Sequence, residues 1–449
     1  MIEDRIFQYG ENIRFQFMWH FQMYCNYDCS YCTGTTHSTT KWFNTEESYY
    51  KTADAIIKIS NMLKEYVPDM KQSAVLTGGE PTANPYMIDV IRYIRERIDK
   101  NRNTNIILTT NGFFGSDYAY ECSELFDRIT VSYHAEANDK QRNLVEQSFL
   151  LLDKLAKEKK HRLKAVVCNM MLNDDPELYK INLNALELFR NNNVSDSNMR
   201  LRTLERNNFQ TGKHSVRPKA SSNRVSGSKF GPKDDNYKHN YNHNELKKLY
   251  DDYDRTTQKK IIANSVVKTS TVEIKDHNIA DKNEPDTTAL RTVDARPCCA
   301  NTDTHIVMND DSVTSTRMVT NRLYKGWKCS LAPFWLFVRQ DEGNVYQQSA
   351  CKVNAWSGMP HQPVCSIDSL DIHLDRLKYY FKNKQLPVVT CPVNICACGI
   401  CSPKAPTLQG FTDNIHRVDN GRGKHLFEGW TAVDPIPEHR DKSPIKNDS

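Results

Sequence analysis

The sequence predicts an α/β fold built on a parallel sheet, followed by a separate cysteine-rich unit. Between residues 14 and 205, short strand patterns alternate with longer helical ones in six units, the alternation that produces parallel strands joined by helical crossovers. The 14 cysteines are clustered: Cys25, Cys29 and Cys32 sit together, nine more lie between Cys298 and Cys401, and only Cys122 and Cys168 stand apart. From alternation alone, an open doubly wound sheet and a partial barrel are both compatible. In either, functional residues collect at the carboxyl ends of the strands.

Each element has a local reason. Arg14–Phe21 puts Phe15, Phe17, Trp19 and Phe21 on one strand face. The stretch 46–66 carries apolar residues at helical spacing and is opened by Asn44 with Glu47 three positions on, a capping-box pattern. A strand follows at Ala74–Thr77, then a helix from Pro85 with Asn84 as its N-cap. The alternation continues with strand 105–110 and a helix near 118–126, then strand 128–134 and a helix near 139–159. Strand 162–172, a helix near 176–191 and strand 199–204 close the series. On the fourth strand, Ile129, Val131 and Tyr133 share one face, while Thr130, Ser132 and His134 share the other, which should face inward.

After Glu205 the character changes. Residues 209–262 hold 12 Lys or Arg against 6 Asp or Glu and few aliphatic side chains, so they read as a solvated insertion with a short helix near 244–262. Interleaved tyrosines leave nucleic-acid contact as the alternative. From about 290 comes the cysteine-rich unit, in which 334–338 and 344–347 flank Asp341–Gly343 as a hairpin. From Thr407 onward the chain is polar, with several prolines, and reads as loosely structured.

The chain has 449 residues and a formal net charge of +5, close to balanced, which argues against a protein that coats nucleic acid along its whole surface. No run approaches the 18 or so consecutive apolar residues of a membrane helix. The amino terminus carries no apolar export segment. These features point to a soluble cytoplasmic protein without membrane contact. In such a compartment, clustered thiols bind metal rather than form disulfides.

The strongest motif is Cys-Asn-Tyr-Asp-Cys-Ser-Tyr-Cys at 25–32, directly after the first strand. Three thiolates so spaced can converge on one centre. A fourth ligand such as His37 would make a structural zinc site; three alone suit a 4Fe–4S cluster with one iron open. Cys25, Cys29, Tyr31 and Cys32 match, position by position, the Cys-x3-Cys-x-aromatic-Cys run of the radical S-adenosylmethionine (radical SAM) superfamily. The sequence also resembles that superfamily in Gly-Gly-Glu-Pro-Thr (78–82) after the second strand and in Leu-Thr-Thr-Asn-Gly (108–112) at the end of the third. The resemblance covers residues 13–207 and implies a partial (β/α)6 TIM-type barrel. It further implies a 4Fe–4S cluster on Cys25, Cys29 and Cys32, whose open iron takes SAM, and an electron donor of the reductase or flavodoxin type. Gly78, Gly79 and Glu80 would lie at the methionine amino group, and Thr110 and Asn111 near the cofactor with Tyr31. Ser132 would meet the ribose or carboxylate of SAM, and His134 either SAM or substrate. Asn169, Arg200 and Arg202 are weaker candidates, equally explained as satisfied interior polar groups.

The later cysteines look similar in layout to the auxiliary-cluster extensions called SPASM or twitch domains. Cys329 precedes the hairpin, Cys351 follows it, and Cys391, Cys396, Cys398 and Cys401 form a tight final group. The layout implies at least one auxiliary Fe–S cluster, with zinc as the alternative. The division that follows is a radical SAM core at 1–207, a basic insertion at 208–289, an auxiliary-cluster domain at 290–405 and a polar tail at 406–449. The implied activity is that of an oxidoreductase-type enzyme that cleaves SAM to a 5′-deoxyadenosyl radical and abstracts hydrogen. A peptide or protein side chain is the first substrate class, and a nucleoside or small metabolite the second. A non-catalytic zinc or Fe–S protein that binds nucleic acid is the reading from a different class.

Overall fold

The computed structural model describes residues 5–10, 13–27, 29, 43–98, 104–172, 176–203, 304–316, 324–330, 334–347, 353–359, 362–392, 402–420 and 423–439. The basic insertion, with its expected helix near 244–262, lies outside them.

After a first strand β1 (Arg5–Gly10), six strands follow in turn: β2 (Arg14–Gln22), β3 (Lys71–Gly78), β4 (Thr104–Thr110), β5 (Arg128–His134), β6 (Ala165–Leu172) and β7 (Met199–Thr203). They lie side by side in chain order, every neighbouring pair parallel. Between them run α1 (Glu46–Tyr66), α2 (Met87–Ile98), α3 (Ser116–Leu125), α4 (Asp139–Glu158) and α5 (Pro176–Asn191). The strand order never reverses and each of α1 to α4 packs on the next helix, so the sheet is wound in one sense. A doubly wound sheet would reverse its order part-way. The fold is the α/β partial barrel expected; its edge strands do not pair with each other among the described residues.

Period-two alternation becomes two faces with different surroundings. Phe15, Phe17, Trp19 and Phe21, with Leu76, Leu108, Ile129, Val131 and Tyr133, are buried in one apolar core with the helices. The intervening residues of β5 are only half-buried along the whole strand. That face turns inward.

The carboxyl-terminal part extends the β2 edge of this sheet and builds most of a second one. It contributes β8 (Thr304–Met308), β9 (Val313–Thr316), β10 (Lys328–Cys329), β11 (Trp335–Arg339), β12 (Asn344–Tyr346), β13 (Cys365–Ser366), α6 (Leu370–Lys382), β14 (Gln385–Pro387), β15 (Val389–Thr390), β16 (Lys404–Ala405), α7 (Leu408–Asn414) and β17 (Thr431–Val433). The expected hairpin is β11–β12. Its first strand pairs in parallel with β2, Trp335 opposite Gln16 and Arg339 opposite His20, so it adds a seventh parallel strand to the barrel. A second sheet has the order β15-β10-β16-β1-β8-β9 and so threads the amino-terminal strand between carboxyl-terminal ones.

Three local expectations change. The N-cap of α1 is Thr45, whose hydroxyl accepts from the Ser48 N–H. Asn44 instead donates its amide to the Gln340 carbonyl, fastening the helix entry to the end of β11. Asn84 and Pro85 lie in a turn ahead of α2, which begins at Met87; the Asn84 side chain accepts from Tyr86 N–H at 2.9 Å. The stretch from Thr407, expected to be loose, is folded over its described residues, because Phe411, Ile415, Val418, Phe427 and Trp430 are buried in the main core. Its aromatics, spaced too irregularly to look like one element, pack from several short ones. No helix among the described residues is long and apolar enough to cross a membrane.

Candidate active site

Every inward-facing chain end on the β2 to β5 side of the barrel meets at one mouth. As β2 ends, the backbone of Gln22–Tyr24 passes directly over the Gly78–Glu80 turn: Gly79 N–H donates to the Gln22 carbonyl at 2.7 Å and Glu80 N–H to the Tyr24 carbonyl at 2.7 Å. A Cβ at Gly78 would collide with the Gln22 carbonyl, and one at Gly79 with the carbonyls of Met23 and Tyr24. Gly78 also has φ +124°, which side chains rarely adopt. The two glycines are thus required by the chain's own crossing, independently of any ligand.

Glu80 is almost fully buried, and its carboxylate joins two strand ends. One oxygen accepts from Thr82 N–H at 3.0 Å, Thr82 hydroxyl at 2.7 Å and Thr110 hydroxyl at 2.7 Å; the other accepts from Asn111 N–H at 2.6 Å. Burial pushes its pKa up, and these four donors offset that by favouring the ionised form. Thr110 and Asn111 are therefore held by Glu80. Gln22, which the sequence reading passed over, completes the frame. Its amide donates to the Glu80 and Tyr24 carbonyls and its oxygen accepts from Asn84, which in turn donates to the Tyr49 hydroxyl. A buried glutamine at the last position of a strand, just ahead of the cysteine run, was the available signal.

This frame positions the thiols. The Cys25 sulfur accepts from the Tyr27 N–H at 3.4 Å and lies 4.0 Å from the Asn111 amide nitrogen, which also donates to Asn26 at 2.6 Å. The Cys29 sulfur lies 3.4 Å from His134 Nδ1, and Tyr27 meets the His134 ring edge-on at 5.6 Å. Tyr27, Cys29 and Ala137 form a small buried cluster against which Cys25 and Phe113 pack. Burial, with the nearby thiols and Glu80, pushes the Tyr27 phenol far up, so it stays neutral. Tyr31 and Cys32, and His37 as the zinc alternative, lie outside the described residues; among those described, no three metal-ligating side chains converge. Ser132 sits on the inward face beside Asn169. Arg200 is opposite Asn169 on the next strand, and the Arg202 side chain is outside the described residues.

Across the mouth, the added strand β11 brings a charged group absent from the sequence expectation. Arg339 donates to both carboxylate oxygens of Asp341, at 3.0 and 2.7 Å, and pairs with Glu342 at 3.0 Å. His20 Nδ1 lies 3.7 Å from Asp341. Burial opposes ionisation of Asp341, but His20 and Arg339 outweigh it and hold the carboxyl well below the usual range. Burial, aided by Arg339, pushes His20 down and keeps it neutral.

The two described cysteines of the run fit thiolate ligation: they share one loop, Cys29 buried and Cys25 half-buried, and the Cys25 sulfur receives N–H donors, which stabilise a thiolate ligand. Comparison with known families agrees. The family model described as the radical SAM superfamily matches residues 19–194. These residues resemble a radical SAM domain. Proteins named probable GTP 3′,8-cyclase resemble it: that of Thermoplasma volcanium is 33% identical over 116 residues, 26% of this chain and 31% of that protein. Another, from Saccharolobus islandicus, is 30% identical over 112 residues, 25% of this chain and 32% of that protein. The match spans about a third of the length of these curated relatives. Among solved structures, anSMEcpe with bound AdoMet and the Kp18Cys peptide is 14% identical, with TM-score 0.39, covering 86% of this chain and 91% of that one. Streptococcus suis SuiB bound to S-adenosylmethionine is 11% identical, with TM-score 0.29, covering 43% and 40%. Radical SAM domains carry a 4Fe–4S cluster that binds SAM.

At the second cysteine group, pairing of Cys329 with Val389 across β10 and β15 puts Cys329 and Cys391 on the same sheet face. Both are buried. Cys351, Cys396, Cys398 and Cys401 lie outside the described residues.

Proposed function

We propose that the chain is a radical SAM enzyme in which Cys25, Cys29 and Cys32 hold a 4Fe–4S cluster and SAM completes it. The supporting observation is the pair of thiols at the mouth of a parallel barrel, Cys29 buried and Cys25 half-buried, tied through Asn111 and Glu80 to neighbouring strand ends. When bound and reduced, the cluster supplies the electron that cleaves SAM to methionine and a 5′-deoxyadenosyl radical. The protein's own residues hold and shield. Tyr27 N–H and the Asn111 amide donate to Cys25; His134 steadies Cys29; Tyr27, Phe113 and Ala137 keep water from the thiols. Ser132 and the inward positions of β5 and β6 are left for SAM and the group that loses hydrogen.

The auxiliary site rests on Cys329 and Cys391 sharing a face, with Cys351, Cys396, Cys398 and Cys401 as the remaining ligands of at least one further Fe–S cluster. A reductase or flavodoxin-type protein would supply electrons. For the substrate, the layout of the later cysteines points to a peptide or protein side chain. A second reading, a nucleotide or other small metabolite, is favoured by the relatives' name, which specifies GTP.

The test is release of 5′-deoxyadenosine from SAM by the anaerobically reconstituted, dithionite-reduced protein, beside a variant with Cys25, Cys29 and Cys32 all changed to Ala. Release by the parent and none by the variant is expected. A reconstituted parent that retains zinc and no iron or sulfide would overturn the reading.

A further inference from the structure

One side of the barrel's inner face is apolar and open, and the chemistry above leaves it unused. On β2 and β11, Phe17, Trp19, Leu336 and Val338 belong to the main core, whereas Met18, Trp335 and Phe337 pack with Tyr346 in a separate cluster on the opposite sheet face. Register carries that face across neighbouring strands as one row: Phe337 opposite Met18, Met18 opposite Val75, and Val75 opposite Ile107. The row turns polar only at Arg128, three strands from Met18. Met18, Val75 and Ile107 are each half-buried, while the residues flanking them in the chain are buried. Three apolar side chains so exposed inside a barrel line open space, about 10 Å wide at the strand spacing.

The polar groups nearest this row are neutral or already bonded. Arg339, one step nearer the mouth, is bonded to Asp341 and Glu342, and the Tyr346 hydroxyl donates to Glu342 at 2.8 Å. His20, kept neutral by its burial, meets Phe337 edge-on at 6.3 Å, and Phe337 and Tyr346 are 6.2 Å apart. One step below Phe337, Trp335 is only 4% exposed, and its indole Nε1 has no hydrogen-bond partner among the described residues. A buried indole N–H ordinarily finds an acceptor. A wall of rings and a thioether suits another ring, and the open N–H suits an oxygen on that ring's far edge. The step from Phe337 to Trp335 is about 6.7 Å, close to the length of a phenol side chain. A nucleobase, polar around most of its edge, would turn polar atoms against Met18, Val75 and Ile107.

We propose that this wall seats an uncharged aromatic side chain of the substrate, its ring against Met18, Val75 and Phe337 and an edge oxygen accepting from the Trp335 N–H. The substrate's own backbone then lies level with His20, near the end of β2. The assignment deepens the peptide reading above and rests on it for the reaction, but not for the binding of the ring.

The test is saturation-transfer NMR of N-acetyltyrosinamide, N-acetylphenylalaninamide and N-acetylasparaginamide with the reconstituted full-length protein. The tyrosine probe should bind roughly tenfold or more tightly than the asparagine probe. Trp335→Phe, which keeps a ring and removes the N–H, should weaken the tyrosine probe about three- to tenfold and leave the phenylalanine probe unchanged. Ile107→Phe narrows the space and should weaken both ring probes, whereas Tyr120→Ala, at an exposed position on α3, should change neither. If Ile107→Phe melts below the parent, the comparison of the two ring probes in Trp335→Phe decides alone. Equal binding of ring and asparagine probes, or an equal loss of both ring probes in Trp335→Phe, would overturn the proposal. So would Trp335-dependent binding of adenosine without binding of the tyrosine probe, which would favour a nucleobase instead. Ring binding without 5′-deoxyadenosine release counts against the radical SAM reading alone, and release without ring binding against this subsite alone.

Discussion

In the barrel sheet, each strand from β2 to β7 pairs with the next strand in the chain. In the second sheet, β1 lies between β8 and β16, and β10 between β15 and β16, so partners come from distant segments. The frame around the cysteine loop uses both kinds of construction. Cys25, Glu80, Asn111 and His134 hang from consecutive strands, whereas Arg339 and Asp341 reach the same mouth on a strand that joins β2 from far along the chain. Local order thus builds the part of the site that resembles radical SAM domains, and long-range pairing adds Arg339 and Asp341 to it.

Breaking the local frame should have the largest effect. Glu80→Ala leaves two backbone N–H groups and two hydroxyls without their acceptor at a buried position, and should cost about 3–5 kcal/mol in urea unfolding. Glu80→Gln, which keeps one acceptor oxygen, should cost less; a loss under about 1 kcal/mol for the alanine would remove Glu80 from the frame. Phe7→Ala probes the other construction. Phe7 is fully buried and meets Phe411 edge-on at 5.5 Å, so the cost should again be about 3–5 kcal/mol. Here hydrogen exchange should accelerate in β1, β8 and α7 ahead of β3 to β6; uniform acceleration would mean that the two sheets unfold as one unit.

The seam between them is subtler. Trp19 Nε1 donates to the Gln340 side-chain oxygen at 2.8 Å, Thr52 donates to the same oxygen at 2.9 Å, and the Gln340 amide donates to Ser48 at 2.8 Å. Trp19→Phe should cost about 1–3 kcal/mol. It should be non-additive with Thr52→Val, since both remove donors from one acceptor; strict additivity would show that the three groups act separately. The smallest effect concerns pH. Because the Asp341 carboxyl is held below its ordinary value, its stabilising contribution is present above about pH 4 and is lost as pH falls through the folded-state value. Asp341→Asn should flatten the acid limb of the stability–pH curve, and an unchanged limb would assign acid sensitivity elsewhere.

The barrel was legible because β-strand alternation and helical spacing are local signals. Phe15 to Phe21 on one face and Ser132 and His134 on the other both survive into the structure. The roles within the mouth were less legible. Gly-Gly-Glu reads as a ligand-binding run, yet Gly78 and Gly79 make room for the backbone of Gln22–Tyr24, and Glu80 spends its oxygens on Thr82, Thr110 and Asn111. Nothing in the local pattern of 335–339 announces β2 as its partner, since five consecutive buried residues fit a strand in any sheet. Nor does a polar-looking tail show that Phe411, Phe427 and Trp430 find one core, because that depends on contacts outside the tail.

The seam at Gln340 also has a temporal side. Trp19 and Gln340 are separated by 321 residues. At about 5–20 residues per second, a ribosome needs roughly 15–60 s to deliver the strand that covers β2. During that interval the nascent barrel presents an open edge of parallel sheet, the kind of surface that recruits foreign strands. The aromatic face of β2 can be sheltered early by α1, but its backbone hydrogen-bonding groups on the open side cannot. Synthesis rate and chaperone supply should therefore govern the yield of soluble protein more strongly than the final stability of the barrel does.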